Sequence, residues 1–459
     1  MKEIKYLILG SGISGLSASY HLGHEDCLIL EKEAHSYGLI HSHKYNGFTW
    51  DLGPHVSFTK HEYVKDIFRK SVDGLFFEKE VKVGNYYKGN WVAHPVQTNL
   101  YQIPEPLRSV CVDSFLKKTV GINIDKIQNY KEWLTASLGD AITNNFVASY
   151  TRKYWTVEPE DLSIDWIAGR VYKPKMGDVV EGAKGKLHRK IHYINKIRYP
   201  HCGGFQSFGE YLHKGANIMR DSEVVHIDLD KKNVKCKDGS LYSYQKLIST
   251  IPLPEFVKIM KNVSSELVDA AEQLSCTQLL LINVEVDEVS NKLEDWIYIY
   301  DEDKFCTRIT FTEKLSKNNT PKGKSGIQVE VYFSKYKPYE NNVEFIKQKV
   351  VDELLEMGVI EKEESAKNSK VNHQWVKYAN IIFDHKRKGA LNYIFDRLSP
   401  FGLTRKDDDL HALTDWSKTT YLQKGSFYLL GRHGEWKYYW SDDCILSGKK
   451  LADNLLSDI

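Results

Sequence analysis

The sequence predicts an α/β fold with a Rossmann-like nucleotide-binding domain, and three consecutive features predict it. An apolar strand over residues 4–9 is followed by the turn Gly10-Ser11-Gly12-Ile13-Ser14-Gly15 and then by a helix that continues to residue 22. A second apolar strand, residues 27–30, ends at the acidic residue Glu31. Strand, glycine turn, helix, strand and acid in this order are typical of a dinucleotide-binding unit.

The residues of this turn are predicted to hold a pyrophosphate. Gly10 allows the tight turn, Gly12 lets the backbone approach the phosphates, and Gly15 lets the helix pack closely on the strand. The helix N-terminus directs free N–H groups at the phosphates, and Ser14 in its first turn is included among the predicted cofactor contacts. Glu31 is predicted to accept hydrogen bonds from the hydroxyls of the adenosine ribose.

The composition is ordinary for a globular protein and excludes several classes. The 459 residues are 42% hydrophobic and 27% charged, and the net charge of +2 includes no long basic run, so no nucleic-acid partner is predicted. Seven scattered cysteines without a C-x-x-C pair argue against a disulfide framework or a zinc site, and no metal is predicted. No signal-like segment and no apolar run of membrane-spanning length is found, so a cytoplasmic protein is expected.

Further segments resemble the flavin-dependent amine oxidase superfamily. They are a glycine loop at residues 37–42, the turn Asp51-Leu52-Gly53, strands at 223–227 and 246–252, the strand and glycine-arginine pair at 427–432, and a closing helix at 445–456. The resemblance implies FAD as the cofactor. It also implies that the FAD-binding domain is assembled from residues 1–60, 200–255 and 426–459, with four further contacts at Gly38, Val224, Arg432 and Asp443.

Within this superfamily, internal motifs resemble those of UDP-galactopyranose mutase and its sugar-nucleotide relatives. The most specific is Gly431-Arg432-His433-Gly434-Glu435-Trp436-Lys437-Tyr438. The stretch Ser149-Tyr150-Thr151-Arg152-Lys153-Tyr154-Trp155, the loop at 51–58, the strand at 90–100 and the segment at 307–311 are similar to other family motifs. The resemblance covers most of the chain.

The mutase resemblance implies a set of substrate-site residues. Arg170 and Arg308 are expected to hold a substrate diphosphate from two walls of one cleft, because bidentate guanidinium groups suit its charge. His55 is expected to orient the N5 region of the flavin. The other substrate contacts that the resemblance implies are Gln97, Tyr150, Trp155, Trp296, Tyr378 and Tyr438.

The rest of the chain is divided by its periodicity. Helical spacing at 130–138 and 146–150 predicts an inserted helical substrate module over residues 105–198. Strand-like runs at 277–286, 296–300 and 326–332 predict an antiparallel β-sheet domain made of residues 61–104 and 256–425. Residues 342–357 carry apolar positions at helical intervals and predict an amphipathic helix.

The implied function is pyranose–furanose interconversion of a nucleotide-diphosphate sugar for polysaccharide biosynthesis. In such mutases the N5 atom of reduced FAD is the nucleophile, so NADPH or NADH is the expected reductant. The alternative is an FAD-dependent oxidoreductase of the amine oxidase type that transfers hydride from a sugar or amine; a flavin-bound sensor without catalysis is more distant. His94, Val96, Leu315 and Asn380 stand where the mutases carry other side chains, which leaves open the sugar and the nucleotide. The oligomeric state is also open, with a homo-oligomer among the alternatives.

Overall fold

The computed structural model describes residues 3–118, 126–168, 170–189, 191, 195–340, 342–423 and 425–457. Parts of the predicted segments 1–60, 105–198, 256–425 and 426–459 therefore lie outside the described residues. The strands are β1 Glu3–Leu9, β2 Cys27–Leu30, β3 Ser42–Tyr45, β4 Phe48–Asp51, β5 Phe76–Glu80, β6 Val83–Tyr87, β7 Asn90–Ala93, β8 Lys196–Pro200, β9 Ile218–Met219, β10 Val224–Asp228, β11 Asn233–Cys236, β12 Leu241–Ser249, β13 Gln278–Val286, β14 Trp296–Ile299, β15 Arg308–Phe311, β16 Ser325–Phe333, β17 Lys370–Val376 and β18 Phe427–Leu429.

Helices connect these strands and cover both sheets. They are α1 Ile13–Leu22, α2 Glu62–Ser71, α3 Leu107–Lys117, α4 Tyr130–Leu138, α5 Asp140–Ile142, α6 Ala148–Tyr154, α7 Met176–Lys184, α8 Glu210–His213, α9 Leu253–Lys258, α10 Ser265–Gln273, α11 Thr312–Leu315, α12 Val343–Glu356, α13 Glu363–Asn368, α14 Arg387–Leu398, α15 Gly431–Gly434 and α16 Ser441–Leu456. A π-helical stretch, Thr143–Val147, leads into α6. In the part of the chain described here, no helix is both long and apolar enough to cross a membrane.

The first sheet is the predicted nucleotide-binding sheet, in the order β10-β11-β12-β1-β2-β9 with β18 beside β12. Its centre is parallel: β1 pairs with β12 and β2, and β18 pairs with β12. Residues Tyr6 to Leu9 are all buried, because helices cover both faces of a parallel sheet. Helices α1 and α16 pack against each other on this sheet. The predicted α/β, Rossmann-like fold class is confirmed.

The second sheet runs in the order β17-β13-β16-β15-β14-β6-β7 and is antiparallel except for the β14–β6 pair. Its outer face is aliphatic: Leu280, Ile282 and Val284 of β13 pack in one cluster with Ile346 and Val350 of α12. The amphipathic pattern predicted around residues 342–357 is therefore explained by burial of one helix face against this sheet. The inner face of the sheet carries the polar and aromatic side chains that form the candidate site.

Helices α3 to α7 form the helical segment between the two sheets. Phe115, Leu134 and Phe146 are fully buried in it, and the same apolar cluster continues to Leu7 and Leu9 of β1. The helical segment and the nucleotide-binding sheet thus share one core. The division of the chain into three domains stays a prediction.

Candidate cofactor and substrate site

The glycine turn between β1 and α1 has the shape of a phosphate cradle. Gly10 has φ +95°, and a Cβ on Gly15 would lie 2.1 Å from the Gly10 carbonyl oxygen, so neither position accepts a side chain. Among the described residues, a Cβ on Gly12 would meet only the Gly38 Cα within 4 Å, at 3.9 Å, so a ligand could approach the Gly12 backbone closely. These residues fit a dinucleotide at the N-terminus of α1.

Glu31 is held at the carboxyl end of β2 by backbone and side-chain donors. Its Oε2 accepts from the backbone N–H and the Oγ of Ser11, both at 2.7 Å, and its Oε1 accepts from the Glu33 N–H at 3.0 Å. The carboxylate is thereby fixed beside the glycine turn, where a ribose hydroxyl of a bound dinucleotide would reach it. The roles of Glu31 and of the turn glycines stay predictions.

The C-terminal motif at residues 431–438 contacts the glycine turn between β1 and α1. Gly431 follows β18 with φ +80°, and a Cβ there would lie 2.3 Å from the Ser14 Oγ, so the two turns touch. Arg432 donates from Nη2 to the Asn380 Oδ1 at 2.8 Å. The Arg432 Nε is buried and has no hydrogen-bond partner among the described residues. A buried donor without a partner costs free energy unless a ligand accepts from it.

Asp443 anchors three groups at the N-terminus of α16. It accepts from the Trp440 N–H at 2.9 Å, from the Trp416 Nε1 at 3.1 Å and from the Arg170 Nη2 at 3.2 Å. Its carboxylate is therefore largely used within the protein. Asp443, which is predicted to contact the cofactor, therefore also fixes the guanidinium of Arg170.

The guanidinium of Arg170 packs against two aromatic rings. Its guanidinium lies 3.5 Å from the ring centroid of Trp440 and 4.7 Å from that of Tyr438. Only 11% of the side chain is exposed. The Nη1 atom is buried and has no hydrogen-bond partner in the described part of the chain. The site thus presents a fixed cation with one unused donor.

Arg308 lies on the inner face of the second sheet and is already paired. Its Nε and Nη2 donate to the two carboxylate oxygens of Glu330 at 2.7 and 2.6 Å. The two residues face each other directly across β15 and β16. Burial is the largest single influence on the Arg308 pKa and lowers it. The charges of Glu330, Tyr332 and Tyr298 and the hydrogen bonds to Glu330 together outweigh burial and hold the Arg308 pKa well above its ordinary value. The predicted free diphosphate fork is occupied by a carboxylate.

The turn after β4 contacts the ion pair of Arg308 and Glu330, and it carries His55. A Cβ on Gly53 would lie 3.4 Å from the Glu330 Oε1, so this turn rests against the ion pair. The Nδ1 of His55 is 2.9 Å from the Gly53 carbonyl oxygen, and its ring stacks on Phe205 at 5.4 Å. Burial lowers the His55 pKa to about 4; the Gly53 carbonyl opposes this, and the charges of Arg432 and Arg308 add to it. His55 is therefore a neutral imidazole at pH 7.

A continuous row of aromatic rings, called here the aromatic row, lies between Arg170 and the second sheet. Tyr438 is 5.8 Å from Trp155, Trp155 is 5.1 Å from Tyr154, and Tyr154 is 4.9 Å from Tyr332 and 5.6 Å from Tyr150. Burial raises the pKa of Tyr150, Tyr154 and Tyr332 well above the ordinary tyrosine value. The hydroxyl of Tyr150 is buried and has no partner among the described residues.

The remaining predicted contacts are placed as follows. Gln97 is buried in the turn Val96–Thr98, Trp296 is buried at the start of β14, and Val224 begins β10. Tyr378 donates its hydroxyl to Glu255. None of these four residues belongs to the aromatic row or to the arginine surroundings described above, and their predicted roles stay untested.

Glu330, Tyr154, Tyr332 and Trp440 were not predicted as site residues. Tyr154 lies within the mutase-like motif at 149–155, and Trp440 follows the one at 431–438. Glu330 had a signal of its own in the sequence, because it is a charged residue within the strand-like run at 326–332. The structure buries all nine residues of that strand, where a charged side chain is rare unless it is paired.

Comparisons with known proteins give one family and a common fold. A family profile described as "Flavin containing amine oxidoreductase" matches residues 13–456. A 4,4'-diapophytoene desaturase of Staphylococcus aureus is 21% identical over 389 residues, which cover 71% of this chain and 75% of the relative. A crystal structure of reduced UDP-galactopyranose mutase has a TM-score of 0.85 at 22% identity, covering 99% of this chain and 96% of that chain. A CLA-producing fatty acid isomerase from P. acnes has a TM-score of 0.62 at 13% identity, with 99% of each chain covered.

Proposed function

The chain belongs to the flavin-containing amine oxidoreductase family, and from this premise we propose that it is an FAD-dependent mutase acting on a nucleotide-diphosphate sugar. The observation that carries the proposal is the guanidinium of Arg170. Two aromatic rings and Asp443 fix it in place, and its buried Nη1 is left without a partner among the described residues. Such a fixed donor suits a phosphate oxygen.

Arg170 and Arg432 flank the same ring. The Cζ of Arg170 lies 4.7 Å and that of Arg432 lies 5.6 Å from the centroid of Tyr438. Each of the two guanidinium groups has one buried nitrogen without a partner in the described chain. We propose that Arg432, which the sequence predicts as a cofactor contact, instead shares with Arg170 most of the attraction for a substrate diphosphate.

Arg308 would contribute less to binding the substrate diphosphate than its sequence motif implies. Glu330 occupies its Nε and Nη2, so Nη1 is the terminal nitrogen that Glu330 does not use. The pair presents nearly zero net charge to the site. We propose that Arg308 donates one hydrogen bond to the substrate and that Glu330 holds it in the position from which it donates.

The other side chains would place the substrate and exclude water. The hydroxyl of Tyr150 supplies a donor, Trp155 and Tyr154 supply apolar walls, and the neutral His55 stands at the turn that touches Glu330. Residues Gly10, Gly12, Ser14, Gly15, Glu31 and Gly38 would hold the cofactor. When bound and reduced, the flavin supplies a nucleophilic nitrogen to a mutase; when oxidised, it accepts hydride.

Binding of nucleotide sugars to the reduced holoprotein tests the proposal. A panel of nucleotide sugars is titrated while the spectrum of the reduced flavin is recorded. For the best ligand, Arg170→Ala is expected to weaken binding by roughly 10- to 100-fold, because one hydrogen bond to a charged group contributes about 1.5–3 kcal/mol.

Arg152→Ala is the matched control, since Arg152 lies on α6 close to the site but is half-buried and already paired with Glu302 and Glu158. It should bind the ligand as wild type does. Equal affinity of Arg170→Ala and wild type for every ligand of the panel would contradict the proposal.

The second candidate is an oxidoreductase of the amine oxidase type. The mutual neutralisation of Arg308 and Glu330 favours it, since an uncharged or aminated substrate suits that wall of the site better than a second phosphate does. Under anaerobic conditions its substrate should bleach the oxidised flavin stoichiometrically without added reductant. A mutase should instead turn over only after reduction by dithionite or a reduced nicotinamide and should leave the flavin reduced.

A further inference from the structure

Three histidines meet beside the hairpin of β3 and β4, apart from the aromatic row and the arginines. His43 lies on β3 and His41 precedes it by two residues in extended backbone, so both side chains point to one face. His35 reaches the same place from the loop after β2. The ring centroids of His35 and His41 are 3.8 Å apart, and those of His41 and His43 are 4.4 Å apart.

The nitrogen atoms of these three rings are close enough for a shared ligand. One ring nitrogen of each residue lies within 4.8 Å of those of the other two. Bonds of about 2.0–2.1 Å from a tetrahedral zinc ion to imidazole place the nitrogens roughly 3.3–3.4 Å apart, so a shift on the order of 1 Å closes the set. The Nδ1 of His41 is buried and has no partner among the described residues, so it is available for such a bond.

One imidazole ring must rotate before all three histidines can bind the same metal ion. The His35 and His41 rings are parallel to within 4°, whereas a metal ion lies near the plane of each imidazole that binds it. His43 is fixed by the pairing of β3 with β4, in which it stands opposite Trp50. The backbone of His41 is held beside this hairpin, because its carbonyl oxygen accepts from the Leu52 N–H at 3.2 Å. His35 follows the exposed residues 32–34, and its ring would have to turn away from the Ser36 carbonyl oxygen, which lies 3.4 Å from its Nδ1.

We propose that His35, His41 and His43 form a three-nitrogen site for a divalent transition-metal ion of the zinc, nickel or copper class, with the remaining coordination position open to water. Imidazole nitrogen suits these ions, whereas magnesium and calcium require oxygen ligands, so the site should reject both of them. The site lies outside the proposed mutase chemistry and does not depend on it.

The position of the site gives a metal ion a structural consequence. The segment from His35 to His43 contains Gly38, whose Cα lies against the Gly12 backbone of the phosphate cradle. A metal bound by His35 at one end and by His41 and His43 at the other would close this loop on both sides of Gly38. The melting temperature of the holoprotein should therefore rise when the metal is added.

The experiment measures metal binding to untagged, FAD-loaded protein treated first with a chelator. Zn²⁺ affinity is measured by competition with a chromophoric chelator, and Co²⁺ is added separately to record its visible absorption bands. Wild type is expected to bind one equivalent of each ion. His43→Ala and His35→Ala are each expected to weaken Zn²⁺ binding by roughly 10-fold or more, since even loss of a residue that only supports a ligand costs that much.

His411→Ala is the matched control, because His411 is exposed and belongs to another part of the chain. It should bind as wild type does. Flavin content and melting temperature without metal verify that each variant is folded, and His35→Gln replaces His35→Ala if the latter is not. Absence of stoichiometric binding by wild type, or equal Zn²⁺ affinity of wild type and both cluster variants, would overturn the proposal.

Discussion

Replacing Glu330 with methionine removes the counter-charge of Arg308 from the inner face of the second sheet. The pair is bidentate, with N–O distances of 2.6 and 2.7 Å, and the side chains are 1% exposed for Glu330 and 19% for Arg308. Methionine keeps an unbranched side chain of similar length. The perturbation is therefore mainly the loss of one buried charge, and the reverse change, Arg308→Met, strands the carboxylate instead.

The expected loss of stability follows from this burial. Breaking a buried ion pair from one side costs about 3–5 kcal/mol, whereas replacing both partners with apolar residues is close to neutral. Because the Arg308 side chain retains some exposure, we take the low end, about 3 kcal/mol for each single variant. At about 2 °C per kcal/mol for a large chain, each single variant should melt roughly 6 °C below wild type. The double variant should melt within about 2 °C of wild type.

The measurement is a double-mutant cycle of thermal unfolding on the FAD-loaded protein, followed by tryptophan and flavin fluorescence. The control is the pair of Arg152 and Glu302, which is also bidentate, at 2.6 and 2.7 Å, but has side chains 30% and 43% exposed. Glu302→Met should therefore change the melting temperature by no more than about 2 °C, since exposed pairs contribute up to about 1 kcal/mol. A double variant as unstable as the sum of its single variants would refute the reasoning.

Three further predictions concern the glycine turn, a buried imidazole and a helix cap. Gly15→Ala should yield colourless protein that does not take up FAD, because the new Cβ would lie 2.1 Å from the Gly10 carbonyl oxygen, and flavin absorbance checks this. The control Gly389→Ala should stay yellow, because no atom of the described residues lies within 4 Å of the new Cβ. The folded-state pKa of His55 is about 4, so only the unfolded state takes up this proton as pH falls from about 6.5 to about 4. Stability should fall over that window by up to roughly 3 kcal/mol, and His55→Asn should flatten the melting temperature across it; parallel profiles would contradict this. Asn129→Ala removes the oxygen that caps α4 at 3.0 Å, and its urea midpoint should fall by the equivalent of about 1 kcal/mol.

Local elements were predictable because their causes are local. The second strand and the helix of residues 130–138 have the predicted bounds, and the glycine turn lies between β1 and α1 as predicted. In the sequence, a buried parallel strand appears as an unbroken apolar run, and an amphipathic helix appears as apolar residues at regular intervals. The phosphate cradle depends on glycines that are close in sequence, so its shape follows from the sequence directly.

The pairing of distant strands was not predictable in the same way. The sequence predicts the strands near 277–286, 296–300 and 326–332, but no local pattern says that β14 pairs with β6, or that this pair is parallel. Strand neighbours separated by some 200 residues are chosen by the packing of the whole sheet. The three histidines, from a loop and a hairpin, likewise meet only in three dimensions.

The register of β15 and β16 also determines how much charge Arg308 can offer to a substrate. Alternation along β16 turns Gln328, Glu330 and Tyr332 to the inner face, and the pairing of Arg308 with Glu330 then neutralises a charge that a local motif presents as free. Arg170 differs, because Asp443 takes only one of its terminal nitrogens and leaves the other buried without a described partner. The choice between a diphosphate and a less charged substrate therefore depends on whether a ligand reaches Arg170 and Arg432 while Glu330 stays on Arg308. If Glu330→Gln, which removes the competing charge and frees the guanidinium, tightens binding of a nucleotide sugar, then Arg308 does touch the diphosphate.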